Sequence, residues 1–135
     1  MIKKVLVAED DVHFRKSLEE HIKSWGYEVV CANNGWEAYE MLSDQPSATF
    51  FAVVSDMRMP GGSGLVFCQA ANRHGDCPPT LIHSSEVSYK GDGVEYKNIS
   101  KLKEYFDFVK VTHVKPKHNN NFRYVKEFLE SISVN

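Results

Sequence analysis

Short apolar runs alternate with segments of helical period five times along the chain. The first run is Lys4 to Ala8. After it, Phe14, Leu18, Ile22 and Trp25 recur at helical spacing, predicting a helix from about Asp11 to Trp25 with Gly26 as its stop. A second strand is expected over Glu28 to Ala32. The helix that follows carries Ala38, Met41 and Leu42, with Asn34 as N-cap and Glu37 in the reciprocal capping position. Phe50 to Ser55 reads as the third strand. The loop Met57 to Gly62 leads to Ser63, which caps a helix from about Gly64 to Asn72. Pro79 to Ser84 is the fourth strand. Ser85 to Asn98 fits neither period. A helix is expected over Ile99 to Tyr105 and a fifth strand over Phe108 to Val114. The last helix, from about Asn121 to Ile132, turns Phe122, Val125, Phe128, Leu129 and Ile132 inward.

Strands apolar on both faces and separated by helices imply an α/β fold, a doubly wound parallel sheet of five strands. The pattern holds no repeat, low-complexity tract or linker, so residues 1–135 are expected to form one domain. In the flavodoxin-like order 2-1-3-4-5 the first and third strands are neighbours where the order reverses, and ligands bind outside their carboxyl ends. Glu9 and Asp10 end the first run and Asp56 ends the third, so the three acids are expected in one crevice. Ser84 ends the fourth strand and Lys115 follows the fifth, on the same rim. Carboxylates gathered at buried strand ends repel one another. They need a cation, a proton or a nearby lysine; a hard divalent cation held by oxygen ligands is the simplest resolution, and it would prepare the site for a phosphoryl group.

Composition narrows the class. At 135 residues the chain can build a core without disulfides, and its net charge of -2 argues against a nucleic-acid surface. No apolar run reaches the length of a membrane span, and the segment after Met1 lacks a signal-peptide stretch. Cys31, Cys68 and Cys77 lack metal-ligand spacing and read as reduced thiols, which fits a cytoplasmic protein. The six histidines, His83 among them, show no ligand spacing and read as ordinary core or surface residues.

Four segments carry a resemblance: Val5-Leu6-Val7-Ala8-Glu9-Asp10-Asp11, Val54 to Leu65 through Asp56-Met57-Arg58-Met59-Pro60-Gly61-Gly62, Leu81-Ile82-His83-Ser84-Ser85, and Val114-Lys115-Pro116. The chain resembles the receiver domain of two-component response regulators. The resemblance implies that Asp56 is the phosphoacceptor. It implies that Glu9 and Asp10 hold Mg²⁺ together with Asp56 and the main-chain carbonyl of Arg58. Ser84 would set its hydroxyl on a phosphoryl oxygen, and Lys115 would pair with the phosphoryl group by charge. The implied donor is a sensor histidine kinase or a histidine phosphotransfer protein, docking beside Val12, His13, Phe14, Arg15, Pro116 and Lys117. The receiver would be no enzyme in its own right, promoting only its own phosphorylation and dephosphorylation, and would signal through altered binding of a downstream protein. Neither direct nucleic-acid contact nor membrane insertion is implied.

The chain departs from the family pattern in three places. Glu9 stands where aspartate is more usual. Arg58 and Glu86 would flank the mouth of the site, where an ion pair would narrow access for hydrolytic water. Thr112 replaces the aromatic ring that usually turns inward on phosphorylation. Two other classes compete. A non-phosphorylated, receiver-like interaction module would keep the fold without the chemistry, and the altered Thr112 and polar Ser85 to Tyr105 segment leave room for it. An aspartate-nucleophile phosphatase needs a second acid where Arg58 stands, and a flavin protein needs a hydroxyl-rich loop where Glu9-Asp10-Asp11 would repel phosphate. Both a stand-alone relay and a receiver cut from a longer protein fit the chain, the native Met1 favouring an intact start.

Overall fold

The computed structural model describes residues 2–44, 49–57, 59–64, 67, 78–84, 87–90, 93–96, 113–117 and 121–132, and for 87–90, 93–96 and 113–115 the description is of the backbone. In chain order the elements are β1 (Lys4–Ala8), α1 (Val12–Ser24), β2 (Glu28–Ala32), α2 (Gly35–Ser43), β3 (Ala52–Asp56), β4 (Thr80–Ser84), β5 (Val87–Lys90), β6 (Gly93–Tyr96), β7 (His113–Pro116) and α3 (Arg123–Ser131). Helical backbone also starts at Gly64, and the Phe67 N–H donates to the Ser63 carbonyl. The expected helix over 99–105 and residues 108–112 of the expected fifth strand lie outside the described residues.

The main sheet is parallel, in the order β2-β1-β3-β4-β7. This is the flavodoxin-like arrangement that the alternating pattern predicts, with β7 in the fifth place. Side chains alternate across each strand, so the two sheet faces have separate cores. Val5, Val7, Val54 and Leu81 pack with Leu18 and Ile22 of α1 and with Val125, Phe128 and Leu129 of α3. Leu6, Ala8, Val53 and Ile82 pack on the other face with Ala38 of α2 and with Phe67. Burial on both faces explains the uninterrupted apolar runs, residues 5–8 in β1 and 52–54 in β3.

Helix α1 begins where expected, since Asp11 Oδ1 accepts from the Phe14 N–H at 3.0 Å. Asn34 caps α2 in the same way, accepting from the Glu37 N–H at 2.9 Å. The Glu37 side chain accepts instead from Asn33 Nδ2 at 3.2 Å, a finding that replaces the reciprocal cap. Helix α3 starts later than its apolar pattern suggests. Asn121 and Phe122 are left-handed, at φ 61° and 49°, and Phe122 is its N-cap residue without a side-chain cap bond. Packing carries that conformation: Phe122 is fully buried, edge-on to Phe14 and His21. The segment after Ser84 that fitted neither period contains an antiparallel hairpin, β5 with β6. Its period was masked because four-residue strands give too few alternations to read.

Candidate functional site

Three strand ends are prolonged by single ladder bonds, and each delivers a residue to the rim. The Glu9 N–H donates to the Ala32 carbonyl at 3.0 Å, Met57 N–H to the His83 carbonyl at 3.1 Å, and Lys117 N–H to the Ser84 carbonyl at 3.0 Å. Strand β3 ends on Asp56 itself, one residue later than its apolar run, and Asp56 pairs in register with His83. The β1 exit is clamped by Arg15, whose Nη1 donates to the Glu9 carbonyl at 2.8 Å and to Asn33 Oδ1 at 2.7 Å. The β3 exit is clamped by Gly64. Its N–H donates to the Met57 carbonyl at 3.1 Å, and a Cβ there would overlap the Asp56 carbonyl and Ser55 Oγ.

Glu9, Asp10 and Asp56 each offer a carboxylate oxygen, and these oxygens lie within 4.8 Å of one another. Glu9 is fully buried, Asp56 nearly so, and Asp10 is exposed. Sequence reasoning therefore placed these three acids correctly. Ser84 is buried at the end of β4. Arg58 lies outside the described residues, as do Glu86 and Thr112. Lys115 is part of β7, opposite His83, and its side chain also falls outside the description.

The cation that reaches the acids among the described residues is Lys117. Its Nζ donates to Glu9 Oε1 and to Asp56 Oδ2, both at 3.0 Å, and lies 4.4 Å from the centroid of the Phe14 ring. Sequence reading assigned Lys117 only to a docking surface. The missed signal is its spacing: two residues after Lys115, on the same alternation. His83 was missed as well. It is fully buried beneath the rim on the α1/α3 face, and its Nε2 stands 3.6 Å from Glu9 Oε2. A histidine two residues after Leu81, on the same face of a strand buried throughout, was the available clue.

Charge is unevenly settled here. Burial alone would raise the Glu9 carboxyl, but His83 and Lys117 outweigh it and hold Glu9 below the usual carboxylate range. Burial, followed by repulsion from Glu9, pushes Asp56 up, and Lys117 only partly offsets this. Burial would lower Lys117, yet Asp56 and Glu9 together raise it. One lysine thus serves two buried carboxylates, with Asp10 beside them. The donor set is all oxygen, it carries excess negative charge, and Glu9 Oε2 has no hydrogen-bond partner. Those properties fit Mg²⁺ or another hard divalent cation.

Comparison with known proteins agrees with this geometry. Residues 5–102 match the family described as response regulator receiver domain. Response regulator MprA of Mycobacterium ulcerans is 39% identical over 86 residues, which is 63% of this chain and 35% of that protein. MprA of Mycobacterium avium is 38% identical over the same length, with 36% of its own chain matched. The chain thus spans about a third of the length of these relatives. Among solved structures, the chemotaxis protein CheY4 of Vibrio cholerae superposes with a TM-score of 0.77 at 23% identity, covering 98% of this chain and 100% of that one. TrrA of Thermotoga maritima, described in complex with Mg²⁺ and BeF, gives a TM-score of 0.72 at 22% identity, covering 96% and 98%. At these identities the two structures speak for the fold.

Proposed function

This chain belongs to the response regulator receiver domain family, and we propose that Asp56 is its phosphoacceptor within one domain spanning 1–135. The observation that carries the reading is the convergence of Glu9, Asp10 and Asp56 on one rim, with Lys117 bridging the two more buried acids. The donor is a phosphohistidine on a sensor kinase or phosphotransfer protein. An Asp56 carboxylate oxygen forms a bond to phosphorus as the P–N bond to the donor imidazole breaks, and the electron pair leaves on that nitrogen, which takes up a proton. The product is an acyl phosphate on Asp56.

Little covalent work is asked of the protein in such a transfer, because the transition state is loose and needs alignment and charge stabilisation. Glu9, Asp10 and Asp56, with the Arg58 carbonyl, would hold Mg²⁺, which when bound neutralises charge developing on the phosphoryl oxygens. Lys117 supplies a second positive charge next to Asp56, as a point charge without fork geometry. Lys115 is the alternative for that role on the family pattern. Ser84 is the hydroxyl donor to a phosphoryl oxygen. The donor protein docks beside α1, where Val12 is 58% exposed at the mouth of the rim. No helix among the described residues is long and apolar enough to cross a membrane, and a cytoplasmic location suits a kinase-fed receiver.

Incubation with acetyl phosphate and Mg²⁺, followed by intact-mass spectrometry, tests the reading. One added phosphoryl group is expected, and none in Asp56→Ala or without a divalent cation. No gain under any condition would leave an interaction module as the better description.

A further inference from the structure

We propose that Glu9, His83 and Tyr124 form a polar line through the core that transmits the state of the acidic rim to helix α3. The proposal rests on the phosphoacceptor reading of that rim and adds a route out of it. His83 lies in the middle of the line. Its Nδ1 is 2.8 Å from the Tyr124 hydroxyl, and its Nε2 faces Glu9 Oε2 at 3.6 Å. If the tyrosine O–H donates to Nδ1, the neutral ring carries its proton on Nε2, aimed at the carboxylate. The 3.6 Å separation is longer than a hydrogen bond, so both Nε2 and Oε2 are buried without a partner. A carboxylate displacement of under about 1 Å would close that gap.

An apolar residue at 83 would leave Glu9 Oε2 buried with no donor in reach and would take from the Tyr124 hydroxyl its partner at 2.8 Å, so the histidine serves both ends of the line. The ring is also tightly held. It meets Phe14 edge-on at 5.4 Å between centroids and lies 5.9 Å from the Tyr124 ring, and Phe14 in turn meets Phe122 at 5.3 Å. Tyr124 sits in the first turn of α3, directly after the left-handed Asn121-Phe122 entry. Close-packed rings leave no slack to absorb motion. A change in where Glu9 places its two oxygens, as when Lys117 gives way to a divalent ion, alters the pull on His83 Nε2 and passes to Tyr124. By linkage, contacts that hold α3 also bias the rim. His83 is therefore a positioning residue, acting on Glu9 and answering to α3.

Amide spectra of ¹⁵N-labelled protein, with Mg²⁺ and beryllofluoride titrated in, test this. Wild type should bind and show shifts in the α3 amides from Tyr124 to Leu129. Tyr124→Phe keeps the ring and loses the hydroxyl. It should bind with affinity within about twofold of wild type while losing more than half of the α3 shift, as expected for a coupling lost without a site residue changed. His83→Gln retains a polar group towards Glu9 and His83→Asn one towards Tyr124. Each should lose the α3 response, and His83→Asn should also weaken Mg²⁺ by about tenfold, the scale for removing a partner of a metal-ligating side chain. Tyr124→Phe with a full α3 response overturns the proposal, as does a wild type that binds without shifting α3. A wild type that binds neither probe instead refutes the phosphoacceptor reading, and the coupling falls with it.

Discussion

The two halves of the sheet do different jobs at the rim. Strands β2, β1 and β3, with α1 and α2, deliver the acids Glu9, Asp10 and Asp56. Strands β4 and β7 deliver what stands against them, His83 and Lys117, and α3 sets Tyr124 behind His83. The acid half is regular, and its two exits are clamped by Arg15 and by Gly64. In the other half, the chain between β4 and β7 includes a separate hairpin, and the entry to α3 is left-handed. Repelling charges thus sit on clamped strand exits, and their counter-charge comes from a side chain just past the end of a short strand. An acid cluster that must stay open to a cation and a phosphoryl group needs that division, because self-repulsion would spread loosely held carboxylates.

The largest test of this contrast concerns the cation. Lys117→Met should slow phosphorylation by acetyl phosphate about 100-fold, the scale for removing one electrostatic stabiliser of a transition state. Lys115→Met should change the rate less than about threefold, the scale of a lost charge when Lys117 already bridges Glu9 and Asp56. Phosphorylation rates followed by mass spectrometry on both variants decide it. The reverse ranking would return the role to Lys115 and leave Lys117 as a structural ion pair.

The same division explains what could be read from the chain. In the acid half, Val5 to Ala8 and Phe50 to Val54 are unbroken apolar runs with acids one or two residues beyond, so strand, neighbour and rim position all follow from one pattern. Asp11 and Asn34 announce their helices by capping chemistry that acts within four residues. In the other half the decisive facts are not local. Lys115 and Lys117 share an alternation, and only the register of β7 against β4, with Ser84 opposite Pro116, brings Lys117 to Glu9 and Asp56. His83 gains its meaning from Tyr124, 41 residues away in sequence. The hairpin of β5 and β6 is too short to print a period, and the left-handed Phe122 obeys aromatic packing against its own propensity.

A second test strikes the scaffold of the acid half. Gly64→Ala would drive a methyl group into the Asp56 carbonyl and Ser55 Oγ, and would bring it to 3.2 Å from Cδ1 of the fully buried Ile82. Overpacking of this kind costs roughly 1–3 kcal/mol, so the urea midpoint should fall accordingly. Phosphorylation should slow too, because the shift is borne by the residue that carries Asp56. Gly26→Ala provides the contrast: nothing lies within 4 Å of a Cβ there, and the cost is the backbone strain at φ 98° alone. If the Gly64 variant phosphorylates at the wild-type rate despite lost stability, the β3 exit is not what aims Asp56.

The smallest effect is the one that weighs the two halves against each other directly. Asp56 is raised above its ordinary value of 3.8, by burial first and Glu9 second, so its ionised form is a burden on the folded state. A carboxyl with a raised folded value stabilises the fold below its unfolded value, and that contribution is lost as pH rises through the folded one. Glu9 runs the other way: with its folded value lowered from 4.5, its contribution is present above 4.5 and is lost as pH falls through the lowered value. Asp56→Asn removes the first group and leaves Lys117 wholly to Glu9. In EDTA at pH 7.5 it should therefore raise Tm by about 3–5 °C, equivalent to roughly 1 kcal/mol in a domain of this size. The advantage should shrink as pH falls through the raised Asp56 value, since wild-type Asp56 is then neutral as well. Saturating Mg²⁺ should also erase it, by stabilising wild type through binding to the three acids while gaining less from the variant. An Asp56→Asn protein no more stable than wild type in EDTA would mean that Lys117 alone balances the acids, and that the rim has no charge left over for a divalent ion to settle.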